Sequence, residues 1–186
     1  TYAGLAHPAA VEHLTRLGHR RIVLAARDDS PTARTVRAAF AEIAETHPDV
    51  DAWAVTLSSP AATPDPADEG TAEPVALHTL MAGTGATAAV LHGDVDALML
   101  VQSLRDNGVR VPEDCSVIAY DDVVAALGST PLTAVSPPKA EVGRTAAELL
   151  LRRLDAGTSR AGGAPVQRVE LLPTLQVRGS TAPRQG

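Results

Sequence analysis

The sequence predicts one α/β domain of three layers, in which helices cover both faces of a mostly parallel sheet. Short apolar runs alternate with amphipathic helical segments along most of the chain, and a strand–helix–strand order produces right-handed crossovers between parallel strands. Hydrophobic residues make up 45% of the 186 residues but aromatic residues only 2%. The core must therefore consist of Ala, Val and Leu in close helix-on-sheet packing.

The amino-terminal quarter is predicted to contain a helix, a strand and a second helix. Residues 9–17 place apolar side chains at the three- and four-residue spacing of a helix face, and Gly18 is typical of a left-handed helix end. Residues 21–26, RIVLAA, lack a helical period, which indicates a strand buried on both faces. Helical spacing returns from Pro31 to about Thr46.

The same alternation continues through the middle of the chain. Residues 58–74 are rich in Pro, Ala and acidic residues, and we expect a mobile loop there. The remaining predicted elements of this part are strands at 53–57, 87–91 and 115–120 and helices at 75–82 and 94–108.

The last third changes character. A brief strand is predicted at 131–135, a helix at 137–154, and two extended pieces within 166–179. Pro173 interrupts the last segment, which favours strands at a sheet edge because proline cannot donate to a ladder on both sides.

Composition argues against several functions. The net charge is −6 with dispersed basic residues, which does not fit a surface that follows a phosphate backbone. Cys115 is the single cysteine and stands in an apolar run, so we expect a small buried side chain and no disulfide within the chain. No apolar stretch approaches the roughly 20 residues of a membrane span, and the start resembles no export signal. We therefore expect a cytoplasmic protein. The chain opens on Thr1, which indicates either a processed product or, as we favour, a piece of a longer chain.

Polar side chains follow each predicted strand, at the edge where open parallel sheets bind ligands. Ionised carboxylates at such an edge accept hydrogen bonds from hydroxyl groups, each contributing roughly 1.5–3 kcal/mol. The pattern therefore favours a hydroxyl-rich ligand such as a sugar or a nucleoside. These residues are Arg27, Asp28, Asp29, Ser30, Ser58, Ser59, His92, Gly93, Asp94, Tyr120, Asp121 and Asp122.

Structural explanations exist for several of these side chains. Asp94 directly precedes a predicted helix and is as well explained as its N-cap, and Asp122 carries the same alternative. His92 lacks a second pair of residues at metal-ligand spacing, so no metal site is predicted. His13 and His19 are expected at the surface.

Catalytic motifs are absent from the sequence, which predicts no enzyme. There is no nucleophile elbow, phosphate-binding loop, dinucleotide fingerprint or Cys-x-x-Cys pair. Asp121 and Asp122 can hold Mg²⁺ in principle, but phosphoryl transfer also needs a companion carboxylate and a nearby lysine, and Lys139 is the only lysine in the chain. A Mg²⁺-dependent α/β enzyme stays the less favoured alternative.

Four segments together resemble the sugar-sensing core of the LacI/GalR transcriptional repressors. The most specific is LRDNGVRVPEDCSVIAYDD, which is similar to the family's Leu-Arg-x-x-Gly-x-x-Val-Pro-x-Asp-x-Ser-Val-x-Gly-Phe/Tyr-Asp-Asp signature and is followed by Pro-Leu-Thr. The other three are AAVEHLTRLGHRRIVLAA, PLTAVSPPKAEVGRTAAELLLRRL and VELLPTLQVRGST.

The resemblance implies a periplasmic-binding-protein-like fold of two lobes that close on a small effector, usually a sugar or a purine-like molecule. Residues 1–186 then form a fragment of the effector-binding and dimerisation domain that lacks most of the first lobe. Residues 18–135 correspond to the core of the second lobe, and 166–179 to closing strands. Residues 1–17 and 137–160 are expected to face the missing lobe, with apolar faces exposed or covered by another copy.

The resemblance also assigns site residues. The first acid of the family's Asp-Asp pair contacts the ligand and falls on Asp121, while the family's Asn-Asp after the third strand is Gly93-Asp94 here. Arg34 and Arg37 flank the position of the family's arginine. The predicted effector-binding residues are Asp121, Asp94, Arg34, Arg37, Ser30 and Tyr120, and the predicted dimer-interface residues are Leu98, Leu127 and Leu132.

The implied function is that of a cytoplasmic, homodimeric repressor that binds a sugar-like effector without a cofactor. Operator DNA is expected to contact only a head that precedes this segment. An exported solute-binding protein of the same fold is the main alternative, and a sequence upstream of Thr1 distinguishes the two.

Overall fold

Strands and helices alternate along the described part of the computed structural model, which comprises residues 3–26, 31–56, 77–157 and 166–185. The predicted loop at 58–74 lies outside the described residues. A single 3₁₀ turn, Ala125–Leu127, follows the fourth strand. The elements are α1 (Ala3–Arg16), β1 (Arg21–Ala26), α2 (Pro31–Thr46), β2 (Asp51–Thr56), α3 (Leu77–Thr84), β3 (Ala88–Leu91), α4 (Asp94–Asp106), β4 (Ser116–Tyr120), β5 (Thr133–Ser136), α5 (Lys139–Gly157) and β6 (Thr174–Gln176).

The described strands form one six-stranded sheet in the order β2-β1-β3-β4-β5-β6. Neighbours from β2 to β5 pair in parallel, and β6 pairs antiparallel to β5 at the edge. The predicted α/β class with a mostly parallel sheet is confirmed. Of the two extended pieces predicted within 166–179, only β6 joins the sheet; residues 166–173 belong to no strand, so the prediction of a second closing strand is wrong.

The core lies on both sides of the sheet because successive side chains of a strand point to opposite faces. In β1, Ile22 and Leu24 pack beneath α1 and α2, whereas Val23 and Ala25 pack beneath α3 and α4. Every residue of β3 and β4 is buried. This two-sided burial explains why these strands are continuous apolar runs in the sequence rather than alternating ones.

The two helices expected to face a missing lobe behave differently. In α1, Ala10, Val11 and Leu14 are at most 2% exposed and belong to the core cluster shared with α2 and the sheet. An uncovered apolar face is therefore wrong for α1, because its stripe is buried against this chain's own sheet. In α5, by contrast, Leu150 and Leu154 are 59% and 58% exposed.

A buried polar network attaches the carboxyl-terminal segment to the amino ends of the strands. Ser180 is fully buried; its Oγ donates to Val117 O over 2.6 Å and accepts from Thr133 N over 2.7 Å. His19 is only 3% exposed and bonds Thr87 Oγ1 and Ala182 O through its two ring nitrogens. The expectation that His19 lies at the surface is wrong, since hydrogen bonds on both sides of the ring satisfy it in the interior.

Stability is expected to fall as the pH drops below the ordinary histidine pKa. Burial is the main cause that lowers the pKa of His13, His19 and His92 below 6.5. The unfolded chain therefore takes up protons at a higher pH than the folded chain, and the stability present above 6.5 is lost as pH falls toward the lower pKa of the folded state. The decrease in stability is measured as the difference between the urea midpoints at about pH 7.5 and about pH 5.5, and this difference should be smaller in His19→Gln. Equal midpoints would contradict this expectation.

None of the helices in the described ranges has the length and apolar character that a bilayer crossing demands.

Candidate functional site

The carboxyl ends of β1 to β5 form one edge of the sheet, which we call the carboxyl edge. Backbone hydrogen bonds continue beyond the strands here: His92 N donates to Ala25 O over 2.9 Å, and Asp121 N donates to Val135 O over 3.0 Å. Because β3 also pairs with β4, with Leu91 opposite Ala119, the polar residues that follow these two strands lie together. This is the edge at which a ligand site is predicted from the sequence.

Asp121 follows β4 with a strained backbone and an accessible carboxylate. Its φ is 94°, a conformation that costs an L-residue of order 1–3 kcal/mol and that occurs at functional sites. Its side chain is 43% exposed, and its Oδ1 lies 3.6 Å from Lys139 Nζ. The same ammonium group donates to the Asp121 carbonyl oxygen over 2.8 Å. Asp121 and Lys139 thus present an acceptor and a donor side by side.

Asp122 has a structural partner. Its Oδ1 lies 2.8 Å from Arg178 Nη1, with the two side chains only 12% and 24% exposed, and the same guanidinium nitrogen donates to Leu132 O over 2.8 Å. The N-cap alternative for Asp122 does not hold, because the 3₁₀ turn begins only at Ala125. This ion pair attaches the end of β4 to the second residue after β6.

Asp94 holds the loop after β4. It is the first residue of α4 and 3% exposed, and its Oδ2 accepts from Val123 N over 2.5 Å and from Val124 N over 2.6 Å. The helix N-cap is Gly93, without a side-chain cap bond. Asp94 therefore acts on another element instead of capping its own helix, and an effector contact by Asp94 stays a prediction.

The remaining predicted effector residues are spread along the carboxyl edge. Arg37 Nη2 donates to Ala26 O over 2.6 Å and to Thr56 Oγ1 over 3.1 Å, so it joins the ends of β1 and β2. Arg34 is exposed on α2, and Ser30 lies outside the described residues. Tyr120 ends β4 and Asp121 follows it, while Arg37 contacts the ends of β1 and β2.

His92 and Lys139 also lie at the carboxyl edge; His92 was among the polar residues noted after the predicted strands, but neither residue was predicted to bind the effector. The His92 ring lies against Tyr120, with centroids 5.2 Å apart and planes tilted by 39°. Burial lowers the pKa of His92, although the nearby Asp121 and Asp96 carboxylates raise it. Burial also raises the pKa of Tyr120. Lys139 opens the helix after β5, a position from which a side chain reaches the neighbouring end of β4.

The side chains at the carboxyl edge are better suited to hydrogen bonding than to metal binding. Within the described residues, no three side chains of His, Cys, Asp or Glu converge in a way that can hold a metal ion. Both acids of the Asp-Asp pair already face a cation of the protein, Lys139 for Asp121 and Arg178 for Asp122. A divalent ion would have to displace these cations or bind beside them, against their charge.

Two of the three residues predicted for the dimer interface offer apolar surface, and the third does not. Leu127 is 77% exposed and Leu98 is half-buried, but Leu132 has no exposed area and belongs to the core under α4. Leu132 therefore cannot offer contact surface, and its backbone N donates to Ala125 O. Other exposed apolar side chains of α4 and of the loop after β4 are Val95, Met99 and Val123.

A parallel sheet with an acceptor–donor pair at its carboxyl edge, and with a long helix that leaves the sheet, is the arrangement typical of α/β proteins that bind small molecules. The family model described as "Periplasmic binding protein-like domain" matches residues 11–181, and the chain belongs to this family. Within it, the chain is the carboxyl-terminal part of a LacI/GalR-type effector-binding core.

Three known proteins illustrate the similarity. The HTH-type transcriptional repressor PurR of Aliivibrio fischeri is 45% identical over 69 residues, which is 37% of this chain and 20% of that protein. A LacI family transcriptional regulator from Bifidobacterium animalis subsp. lactis superimposes with a TM-score of 0.76 at 28% identity, over 98% of this chain and 63% of that one. The transcriptional regulator CelR, in complex with cellobiose, gives 0.69 at 28% identity, over 96% of this chain and 51% of that one. The chain thus spans only part of each.

Proposed function

We propose that this chain is the ligand-sensing and dimerisation part of a cytoplasmic DNA-binding repressor, in which a sugar-like or other small polar effector changes the affinity for DNA. The observation that carries the proposal is the Asp121–Lys139 pair at the carboxyl edge. The similarity to PurR and to the CelR–cellobiose complex supports it.

The pair suits a hydroxylated compound. A hydroxyl group is both a donor and an acceptor, whereas a carboxylate only accepts and an ammonium only donates. With Asp121 Oδ1 and Lys139 Nζ 3.6 Å apart, one hydroxyl, or two adjacent ones, can bond both groups without leaving either charge unpaired. A charged ligand would satisfy only one partner and would break the pair.

The position of Lys139 links ligand binding to a change of shape. Lys139 is the first residue of α5, which begins three residues after β5 and exposes its leucines. An effector that bonds Asp121 and Lys139 together stabilises one orientation of α5 relative to β4. Such a differential contact is what shifts a population between two conformations.

Selection from random duplex DNA with the protein encoded by the complete gene tests this function. A dimeric repressor should enrich two symmetric half-sites, and a hydroxylated compound that binds the protein should change the fraction of DNA bound. A protein that binds such compounds but enriches no DNA sequence is instead a solute-binding protein of the same fold. Binding of neither would overturn the proposal.

The apolar surface around Leu127 is expected to mediate self-association. Leu127→Glu places a charge at the centre of this surface, and it should weaken self-association by at least about tenfold, because an unpaired charge cannot be buried without cost. Sedimentation equilibrium of the variant beside Val177→Glu, which changes an equally apolar residue that is 59% exposed elsewhere, measures the effect. Equal dissociation constants for the two variants would place the interface elsewhere.

A further inference from the structure

His92 lies at the carboxyl edge, with one ring nitrogen unpaired in the part of the chain that the structure describes. Its backbone extends the β1–β3 ladder through Ala25 O, and its ring lies against Tyr120, itself only 4% exposed. Within the described ranges, His92 Nδ1 is buried and has no hydrogen-bond partner. His19, which is 3% exposed, has partners at both ring nitrogens.

An unpaired buried nitrogen carries a cost that the fold does not require. Leaving a buried polar group unsatisfied costs roughly 1–3 kcal/mol, and a phenyl ring at position 92 would keep the contact with Tyr120 without that cost. A histidine with an open hydrogen-bonding position therefore indicates a partner that is not part of the chain. A water molecule is held well only where two to four polar partners surround it.

The neighbouring charges decide which partner fits. Asp121 and Asp96 are the acidic groups that act on His92, and both favour the protonated ring, but burial outweighs them and keeps the imidazole neutral near neutral pH. A neutral imidazole offers one donor and one acceptor. It suits a hydroxyl group or a ring heteroatom better than a carboxylate or a phosphate.

We propose that His92 is a specificity-determining residue of the effector site, where its imidazole hydrogen-bonds a neutral hydroxylated ring compound whose other hydroxyls bond Asp121 and Lys139. The inference rests on the proposed function, because it adds a recognition position to the same edge. His92 extends that edge from β4 to β3, so the effector spans the ends of two adjacent strands. A compound that satisfies only Asp121 and Lys139 is then bound more weakly than one that also reaches His92.

Two substitutions separate the hydrogen bond from the ring contact. His92→Phe keeps the aromatic contact with Tyr120 and removes both nitrogens, whereas His92→Asn keeps a polar group near the position of Nδ1 and removes the ring. His47→Phe is the matched control, because His47 is exposed at the end of α2, near the amino ends of the strands. The probes are cellobiose, glucose, ribose and inositol, titrated calorimetrically into the protein encoded by the complete gene.

For the compound that binds the unaltered protein most tightly, His92→Phe should weaken binding by about three- to tenfold, as expected for one neutral hydrogen bond. His92→Asn should retain part of the affinity, and His47→Phe all of it. Without ligand, His92→Phe should unfold at the same or a higher temperature. If His92→Phe bound this compound with the same affinity as the unaltered protein, whatever its unfolding temperature, the role of His92 would be overturned and the proposed function would stay intact. No binding of any probe to the unaltered protein would overturn the assignment of a neutral hydroxylated ring compound to this site, and with it the role of His92, whereas the proposed function is tested separately by the DNA selection.

Discussion

Replacing Asp94 by alanine is expected to lower the free energy of unfolding by about 3 kcal/mol, because two backbone amides lose a charged acceptor. The Asp94 carboxylate is 3% exposed, and one of its oxygens accepts from both Val123 N and Val124 N. Alanine offers these amides no acceptor, and a partly buried site gives water limited access to replace it. The lost carboxylate also stood in the first turn of α4, where negative charge is favourable.

Urea unfolding of Asp94→Ala beside Asp94→Asn and Asp49→Ala measures the effect. Asparagine keeps a carbonyl acceptor at nearly the same place and loses only the charge, so we expect about half of the loss. Asp49 is exposed before β2, and its removal should change the stability by less than about 0.5 kcal/mol. If Asp94→Ala were as stable as Asp49→Ala, the loop after β4 would not depend on this carboxylate.

Local sequence signals predicted the elements of this fold well. The bounds of β1 and α2 agree with the apolar runs and helical spacing, because a strand buried on both faces and a helix with one apolar face leave distinct patterns. The same signals failed where burial depends on distant parts of the chain. Leu132 and His19 are buried by elements that no local pattern reveals.

The candidate site was predictable only in part, for a similar reason. An accessible carboxylate at Asp121 was predicted because this residue comes directly after a buried apolar run, and the side chain is indeed 43% exposed. The role of Asp94 was open between cap and ligand, because its partners lie 29 and 30 residues along the chain. Lys139 was considered only as the single lysine of the chain, since its contact with Asp121 depends on the pairing of β4 with β5.

Asp121→Asn is expected to weaken effector binding by about 10- to 100-fold, because it replaces a charged acceptor with a neutral one where a charge-assisted hydrogen bond contributes roughly 1.5–3 kcal/mol. The thermal transition should change little, since the side chain is 43% exposed and its ion pair with Lys139 is accessible to solvent. Calorimetric titration with whichever of cellobiose, glucose, ribose or inositol binds best measures the affinity.

Asp121→Gly separates backbone strain from recognition. Glycine adopts a φ of 94° without steric cost but loses more entropy on folding, so the two effects, each about 1 kcal/mol, should leave the stability unchanged or slightly higher. Its effector affinity should fall at least as far as that of Asp121→Asn. The contrast is Asp122→Asn, which weakens the ion pair with Arg178 and should therefore lower stability more than affinity. If Asp122→Asn abolished effector binding while Asp121→Asn and Asp121→Gly retained it, Asp122 would be the residue that recognises the effector. The positive φ of Asp121 would then be a consequence of the fold and not of ligand binding.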